Sequence, residues 1–324
     1  MYLVFDVGGS AIKYALMKKH GDIAKKGSEP THLDIPNGLE VFVKSIVDIY
    51  ESFKGRETID GIAMDLPGQI DVDNGIVYGG GALQFLDKVP LGKIISEKCD
   101  GINVALENDG KCAALAEAWQ GNGKSYDNVF VMVFGTGVGG GLVVNQRVLR
   151  GANLSAGEIS YFIEGMNMDH LETAFNYMEN ADRMPLDEFM KKMPYVWSAG
   201  CSTTGRCYLA SKKKGLDRKE VDGIRLYKWV EEGDQEIIDL MEDWYFQIAK
   251  QCCNIQAMFD PGVILVGGGI SAQPLFVEGI KRYIDKIKVI SSIYEHIKID
   301  TCKYMNDSNL LGALFNYRQK YEGR

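Results

Sequence analysis

The sequence is poor in the features that mark secreted, membrane or nucleic-acid-binding proteins. Its seven cysteines contain no Cys-x-x-Cys pair, and seven is an odd number in a chain of 324 residues, too long to need staples. That usage suits a reducing cytoplasm, with the adjacent Cys252 and Cys253 as core thiols. Positive charge is not in excess: Lys+Arg number 36 against 44 Asp+Glu, a net charge of −8. Such a balance argues against nucleic acid as a partner, but not against ATP, whose phosphates can be met by backbone amides, metal and a local lysine. No apolar run reaches membrane-spanning length. The start, Met1-Tyr2-Leu3-Val4-Phe5-Asp6, has no charged n-region or cleavage site. The Walker pattern Gly-x-x-x-x-Gly-Lys-Ser/Thr is missing, and Gly267 to Pro274 does not supply the Gly-x-Gly-x-x-Gly of a dinucleotide fold. What remains is an ordinary globular composition, 46% hydrophobic and 25% charged, at a length that allows two domains.

Glycine, by contrast, is placed with purpose. Five glycines fall within the seven residues Gly135-Thr136-Gly137-Val138-Gly139-Gly140-Gly141, straight after the apolar run Val129 to Phe134. Bare backbone amides there can approach an anion, and a nucleotide phosphate is the usual one. A second strand–glycine turn–strand unit stands at the start: Tyr2 to Val7, Gly8-Gly9, then Ala11 to Met17. Helical spacing is predicted over Leu39 to Phe53, over Lys111 to Trp119 and over Glu236 to Phe259, where Asp260-Pro261 stops it. Short strands are predicted at Gly61 to Leu66, Val104 to Leu106, Gly140 to Val144 and Val263 to Val266. Ser308 is placed to cap a final helix. Residues 160–230 read as short helical patterns mixed with loops around Pro185, Pro194 and Gly200. The recurrence predicts two related α/β lobes with a cleft between them.

Four segments carry candidate chemistry, and each has a plainer alternative. In Asp6-Val7-Gly8-Gly9-Ser10-Ala11-Ile12-Lys13, Asp6 could orient a hydrated Mg²⁺, since hard cations prefer oxygen, and Lys13 could face a phosphate or a structural carboxylate. The plainer reading is an ordinary turn. In Glu107-Asn108-Asp109, Asp109 at a helix N-terminus could accept a hydroxyl proton, or Asn108 or Asp109 could merely cap the helix. In Ala156-Gly157-Glu158-Ile159-Ser160-Tyr161, Glu158 could accept hydrogen bonds from a polyol, and Tyr161 could donate one or pack on a sugar face. Gly267-Gly268-Gly269 after a strand suits close approach of adenine or ribose, or simply a tight turn.

In their order, these segments resemble the ROK family of sugar kinases and sugar-responsive repressors, within the actin/hexokinase-like superfamily. The resemblance covers nearly the whole chain. It implies a two-lobed actin-like (ribonuclease H-like) α/β fold with an interlobe cleft. The smaller lobe would be residues 1–110 completed by a C-terminal helix at 308–320, and the larger lobe residues 111–307. It implies ATP-dependent phosphorylation of a sugar hydroxyl, usually the 6-position, of a hexose or β-glucoside. Asp109 would be the base. Gly8, Gly9, Ser10, Lys13, Gly135, Thr136, Gly137, Gly268 and Gly269 would bind ATP, and Asn108, Asp109, Glu158 and Tyr161 the sugar. Asp6 would stand near Mg²⁺, interacting through water, and the partner chain would be a second copy, as a homodimer.

Departures from the family pattern are informative. Tyr161 stands where many members carry a histidine, and Cys201-Ser202-Thr203-Thr204-Gly205-Arg206-Cys207 lacks the cysteine spacing and glutamate of the family's zinc motif. No structural zinc is expected, although Cys201, Cys207 and His170 are conceivable ligands. Gly79-Gly80-Gly81-Ala82-Leu83 lacks an asparagine often found before that leucine, which leaves room for a substituted sugar, a β-glucoside or a disaccharide. The alternative function is a sugar-binding transcriptional regulator or non-catalytic sensor. A regulator of the family carries a DNA-binding region ahead of the first phosphate motif, which here begins at Asp6. A non-catalytic sensor would not need Asp109.

Overall fold

Tyr2–Val7 is buried at every position, and it forms the first strand, β1. The structure, a computed structural model, describes residues 1–33, 37–81, 83–177, 186–305 and 307–323. After β1 come β2 (Ala11–Met17) and β3 (Ile23–Pro30), then α1 (Gly38–Phe53) and β4 (Gly61–Leu66). A small hairpin of β5 (Gln69–Asp71) and β6 (Ile76–Tyr78) precedes α2 (Leu91–Lys98), β7 (Val104–Asn108) and α3 (Asp109–Gln120). The chain continues through β8 (Asn128–Phe134), β9 (Val138–Val144) and β10 (Arg147–Val148). A helical stretch follows: α4 (Met168–Tyr177), α5 (Leu186–Lys192), α6 (Trp197–Cys201), α7 (Thr203–Lys214), α8 (Gly223–Glu231) and α9 (Gln235–Phe259). It closes with β11 (Val263–Gly267), α10 (Pro274–Ile287), β12 (Ile299–Thr301) and α11 (Ser308–Glu322).

The chain forms two compact units. The first takes Met1–Ser125, Gly141–Ala156 and the C-terminal helix α11. Its five-stranded sheet has the order β3-β2-β1-β4-β7. β1 is antiparallel to β2 and parallel to β4, and β4 is parallel to β7. Strands buried on both faces read as nearly continuous apolar runs, which is how β1 and β4 look in the sequence. The hydrophobic stripe of α1, with Phe42, Val43, Ile46, Ile49, Tyr50 and Phe53 buried, packs into this sheet's core. α11 packs against α3 as well as β4 and β7. Close approach of α11 to α3 needs a glycine: a Cβ at Gly312 would run into the Cys112 carbonyl. Trp119 and Phe315 stack there with ring centroids 4.8 Å apart, which adds about 1 kcal/mol beyond area burial.

The second unit takes Tyr126–Gly140 and Gly157–Met305. Within it β8 and β12 flank β11, both in parallel. Phe134, at the end of β8, meets Trp197, Trp244 and Phe276 edge-on, so the strand that delivers the glycine loop is anchored in an aromatic core. β9 is divided, its last four residues, Gly141 to Val144, belonging to the first unit, where β10 pairs with them.

The α/β class and the strand–glycine turn–strand units are as expected. Three details differ or fall outside. α11 begins at Ser308, and Asp307 rather than Ser308 is its N-cap residue, without a side-chain cap bond. Gly200 sits inside α6 rather than in a loop. Pro185 and Ala82 lie outside the described residues. Among the described residues no helix is long and apolar enough to cross a membrane.

Candidate active site

The parallel strands β1, β4 and β7 end side by side, and their register puts three carboxyl-bearing residues in one row: Asp6 beside Asp65, and Asp65 beside Glu107. Neighbours in such a row are about 4.8 Å apart along the hydrogen-bonding direction and share a sheet face. Asp6 also stands opposite Lys13 across the first hairpin, and Lys13 Nζ donates to Asp6 Oδ2 at 2.9 Å. Burial works against the Lys13 charge, but Asp6, followed by Asp65 and Asp307, outweighs it, so the ammonium is held above its ordinary pKa. Of the two partners open to Lys13, the structural carboxylate is the one it has here.

Asp65 was not singled out in the sequence. It is 0% exposed, and burial, then the Asp6 charge beside it, pushes its carboxyl well above the usual carboxylate range. Its Oδ2 finds no hydrogen-bond partner among the described residues, while Asn309 Nδ2, from the first turn of α11, reaches both Asp6 Oδ1 and Asp65 Oδ1 at 3.4 Å. Two carboxyl groups this close can bond each other only when one carries a proton.

The turn between β1 and β2 is closed by the Gly8 amide, which donates to the Ala11 carbonyl at 3.0 Å. Thr31 braces it, with its hydroxyl on the Gly8 carbonyl at 2.8 Å and its amide on the Ser10 carbonyl at 3.1 Å. That leaves Gly9 and Ser10 as the outward residues of the turn, Ser10 exposed.

At the end of β7 the chain turns directly into α3. Asn108 is the N-cap residue: its Oδ1 accepts the Lys111 amide at 3.1 Å and its Nδ2 donates to the Gly68 carbonyl at 3.0 Å. The capping alternative therefore holds for Asn108. Asp109 opens the helix, half-buried, with Oδ1 accepting the Gly110 amide at 2.7 Å. A carboxylate in a first helical turn sits at the favourable end of the dipole. Glu107 is fully buried; its Oε1 accepts the Asn108 amide at 2.9 Å and its Oε2 accepts Arg150 Nε at 2.9 Å and Nη2 at 2.6 Å. Gly68, which accepts from Asn108, lies against Gly80; Gly79, Gly80 and Gly81 run in succession through positive φ, and a Cβ at Gly79 would have no described atom within 4 Å.

In the second unit the loop after β8 is pinned from outside. The Gly135 amide donates to the Gly137 carbonyl at 3.0 Å, and the first turn of α7 reaches the loop through Thr203 Oγ1 on the Phe134 carbonyl and the Thr204 amide on the Gly135 carbonyl. A Cβ on Gly135 or Gly137 would have no atom of the described residues within 4 Å, and neither has positive φ. The fold does not require glycine at these positions; a ligand pressed against the backbone would. Gly268 is different: at φ 89° its Cβ would strike the Phe134 carbonyl, so this glycine serves the turn itself, while Gly269 faces open space. Glu158 stands at the N-cap position of a short helical turn, Ile159–Tyr161, without a side-chain cap bond, and Tyr161 is 74% exposed.

For a divalent cation, the Asp6 carboxylate at the glycine turn is a hard oxygen donor of the kind that holds hydrated magnesium, so the donor set fits. Among the described residues no group of three or more His, Cys, Asp or Glu could hold a metal by itself. Cys201 and Cys207 are both buried thiols pushed up to about 11 by burial, and Arg206 rather than a thiolate partner approaches Cys201. His170 is engaged by Asn167, whose amide donates to its Nδ1.

The first unit thus brings together Asp6, Lys13 and the Gly8–Ser10 turn, with Asn108 and Asp109 two strands along the same sheet. The second unit brings together Gly135, Thr136, Gly137, Gly268 and Gly269, with Glu158 and Tyr161 further along the chain. Asp65, Thr31, Asn309, Arg150 and Thr203 complete these clusters without any local signal in the sequence.

Comparison with known proteins places the chain. The ROK family model matches residues 2–320. A β-glucoside kinase of Listeria monocytogenes is 27% identical over 317 residues, covering 98% of this chain and 97% of that protein. The crystal structure of a ROK family protein from Streptococcus pneumoniae in complex with sucrose is 26% identical, with a TM-score of 0.79 over 99% of this chain and 100% of that one. The Lmo2764 protein of Listeria monocytogenes, a provisionally assigned N-acetylmannosamine kinase, has a TM-score of 0.81 at 25% identity over 98% of this chain and 99% of its own. With a family match over nearly its full length, the chain belongs to the ROK family.

Proposed function

We propose that the protein is an ATP-dependent carbohydrate kinase that transfers the γ-phosphate of ATP to a sugar hydroxyl, the 6-hydroxyl of a hexose or β-glucoside. The observation that carries this reading is Asp109, a half-buried carboxylate opening α3 directly after the Asn108 cap, two strands along the sheet from the Asp6 turn. A regulator or sensor has no need of a base at that position. Membership of the family and the kinases among its relatives support the same activity.

In this reading the Asp109 carboxylate takes the proton of the sugar hydroxyl as its oxygen bonds to the γ-phosphorus, and the bond to the β-phosphate oxygen breaks to release ADP. Asn108 and Glu158 hold sugar hydroxyls, and the Tyr161 ring offers an apolar sugar face a surface to pack on. The amides of Gly9 and Ser10, and those of Gly135 to Gly137, receive phosphate oxygens, and Gly268 and Gly269 lie against the nucleoside. Asp6 would hold, through water, the magnesium that shields phosphate charge. Gly8 supports its turn, and Lys13 keeps the Asp6 carboxylate paired until the metal–nucleotide complex arrives.

For the acceptor, a substituted or β-linked sugar is favoured. The open space at Gly79, the β-glucoside kinase among the relatives and the sucrose bound by the Streptococcus pneumoniae relative support this choice. An ATP-consumption screen across hexoses, N-acetylhexosamines and β-linked disaccharides tests it. Sugar-dependent ADP release, greatest with a β-glucoside or disaccharide, is expected; release with no sugar in the panel would reject the kinase reading.

A further inference from the structure

Glu107 is a fully buried carboxylate at the end of a strand, one residue before the Asn108 cap. A buried carboxylate is costly unless it is paired and hydrogen-bonded. Here one oxygen accepts the Asn108 backbone amide, and the other accepts two donors from a single guanidinium, that of Arg150. The same guanidinium reaches further: its Nη2 donates to Asn316 Oδ1 at 3.1 Å, and Asn316 Nδ2 donates to the Leu106 carbonyl at 3.0 Å. The residue before Glu107 is thus tied directly to Asn316 of α11, and the residue after it is linked to the same Asn316 through Glu107 and Arg150. Arg150 is itself held by a closed turn, its carbonyl accepting the Ala156 amide at 3.0 Å. No local pattern links Arg150 to Glu107, which lies 43 positions away.

We propose that Arg150 is a positioning residue for phosphoryl transfer: by clamping Glu107 and Asn316 it fixes the strand-to-helix junction from which Asp109 meets the acceptor hydroxyl. Resting on the kinase reading above, the proposal adds to it a residue that touches neither substrate. The guanidinium suits this role because its planar fork satisfies a carboxylate and an amide oxygen at once, and a lysine, a single point of charge, cannot hold both in a fixed geometry. Displacement of a catalytic group by about 1 Å lowers a rate by as much as about a hundredfold, so a clamp of this kind has a measurable effect on turnover.

The test uses the full chain and three variants, Arg150→Met, Arg150→Lys and the double variant Arg150→Met/Glu107→Gln. Arg150→Met strands the Glu107 charge, so both Tm and kcat are expected to fall, kcat by roughly tenfold to a hundredfold, with KM for ATP little changed. In the double variant no buried charge is left unpaired, so Tm is expected to recover while kcat stays low. Arg150→Lys is expected to regain part of kcat. Amide hydrogen exchange of the peptide spanning Asn108 to Lys111 is read in parallel and needs no activity; it is expected to quicken in Arg150→Met and in the double variant. Recovery of kcat together with Tm in the double variant, or unchanged exchange at the junction, would overturn the proposal. If the unaltered chain shows no sugar-dependent turnover, it is the kinase reading that fails, and the exchange measurement still decides whether Arg150 holds the junction.

Discussion

Asp65 lies in register beside Asp6 on the neighbouring parallel strand, wholly buried, with its Oδ2 lacking a hydrogen-bond partner among the described residues. An ionised pair in that position is doubly unfavourable, through desolvation and through like charge. The site therefore carries a cost that its fold alone would not impose.

That cost has a pH signature. The folded protein holds the Asp65 proton to a pH well above the ordinary carboxylate value, whereas the unfolded chain loses it near pH 4. The folded state binds the extra proton between those values, so stability from this group is full at acid pH, falls as pH rises past about 4, and levels off above the folded-state pKa. Asp65→Asn removes the titration and supplies an amide donor facing Asp6. In metal-free protein the variant is expected to exceed the parent in stability by on the order of 1 kcal/mol at neutral pH, with the gap closing towards pH 4. Urea unfolding across that range checks it; a gap that stays constant with pH would contradict the assignment.

The glycines divide into two kinds, and substitution should separate them. Gly137→Ala places a Cβ in open space at an ordinary φ, so stability is expected to hold within about 0.5 kcal/mol while affinity for MgATP falls by roughly tenfold. Gly268→Ala forces a side chain onto the Phe134 carbonyl at a positive φ, so a loss of about 1–3 kcal/mol in stability is expected. Thermal unfolding together with calorimetric titration of nucleotide reads both. A Gly137→Ala protein that binds nucleotide as tightly as the parent removes this loop from phosphate binding.

Tyr161 is exposed enough that its removal should leave the fold untouched. Tyr161→Ala is expected to raise KM for the acceptor sugar severalfold and leave KM for ATP unchanged, since an aromatic face and its hydroxyl contribute to ligand contact rather than to the core. Steady-state kinetics with each substrate varied in turn makes the comparison, and an unaltered sugar KM would take Tyr161 out of the acceptor site.

Much of this could be read from residue order because the signals were local. An apolar run into Gly8-Gly9, another into Gly135-Thr136-Gly137, and the helical spacing of Ile237, Leu240, Met241, Trp244 and Ile248 in α9 each report on their own neighbourhood. β3 was illegible for the opposite reason: Ile23–Pro30 is mostly exposed and polar, and it is a strand only because β2 pairs with it. Lys13 and Asn108 each admit two readings in the sequence, and the partners they have in the fold, Asp6 and the Lys111 amide, are a structural carboxylate and a capped helix end. Asp65 is a single acid within an apolar strand, and its meaning lies in the Asp6 register. Arg150 reaches Glu107, and Asn309 reaches Asp6, across 43 and 303 positions, a distance over which sequence pattern carries no information.

Sugar-dependent ADP formation by the parent and by Asp109→Asn, at saturating MgATP and with nucleotide binding measured on the same preparations, tests the central claim most directly. Turnover in the variant is expected to drop by roughly a hundredfold or more, the scale of a lost general base, with Tm and nucleotide affinity preserved. Turnover near that of the parent would show that Asp109 does not accept the proton, and the account of this site as a kinase centre built on α3 would be wrong.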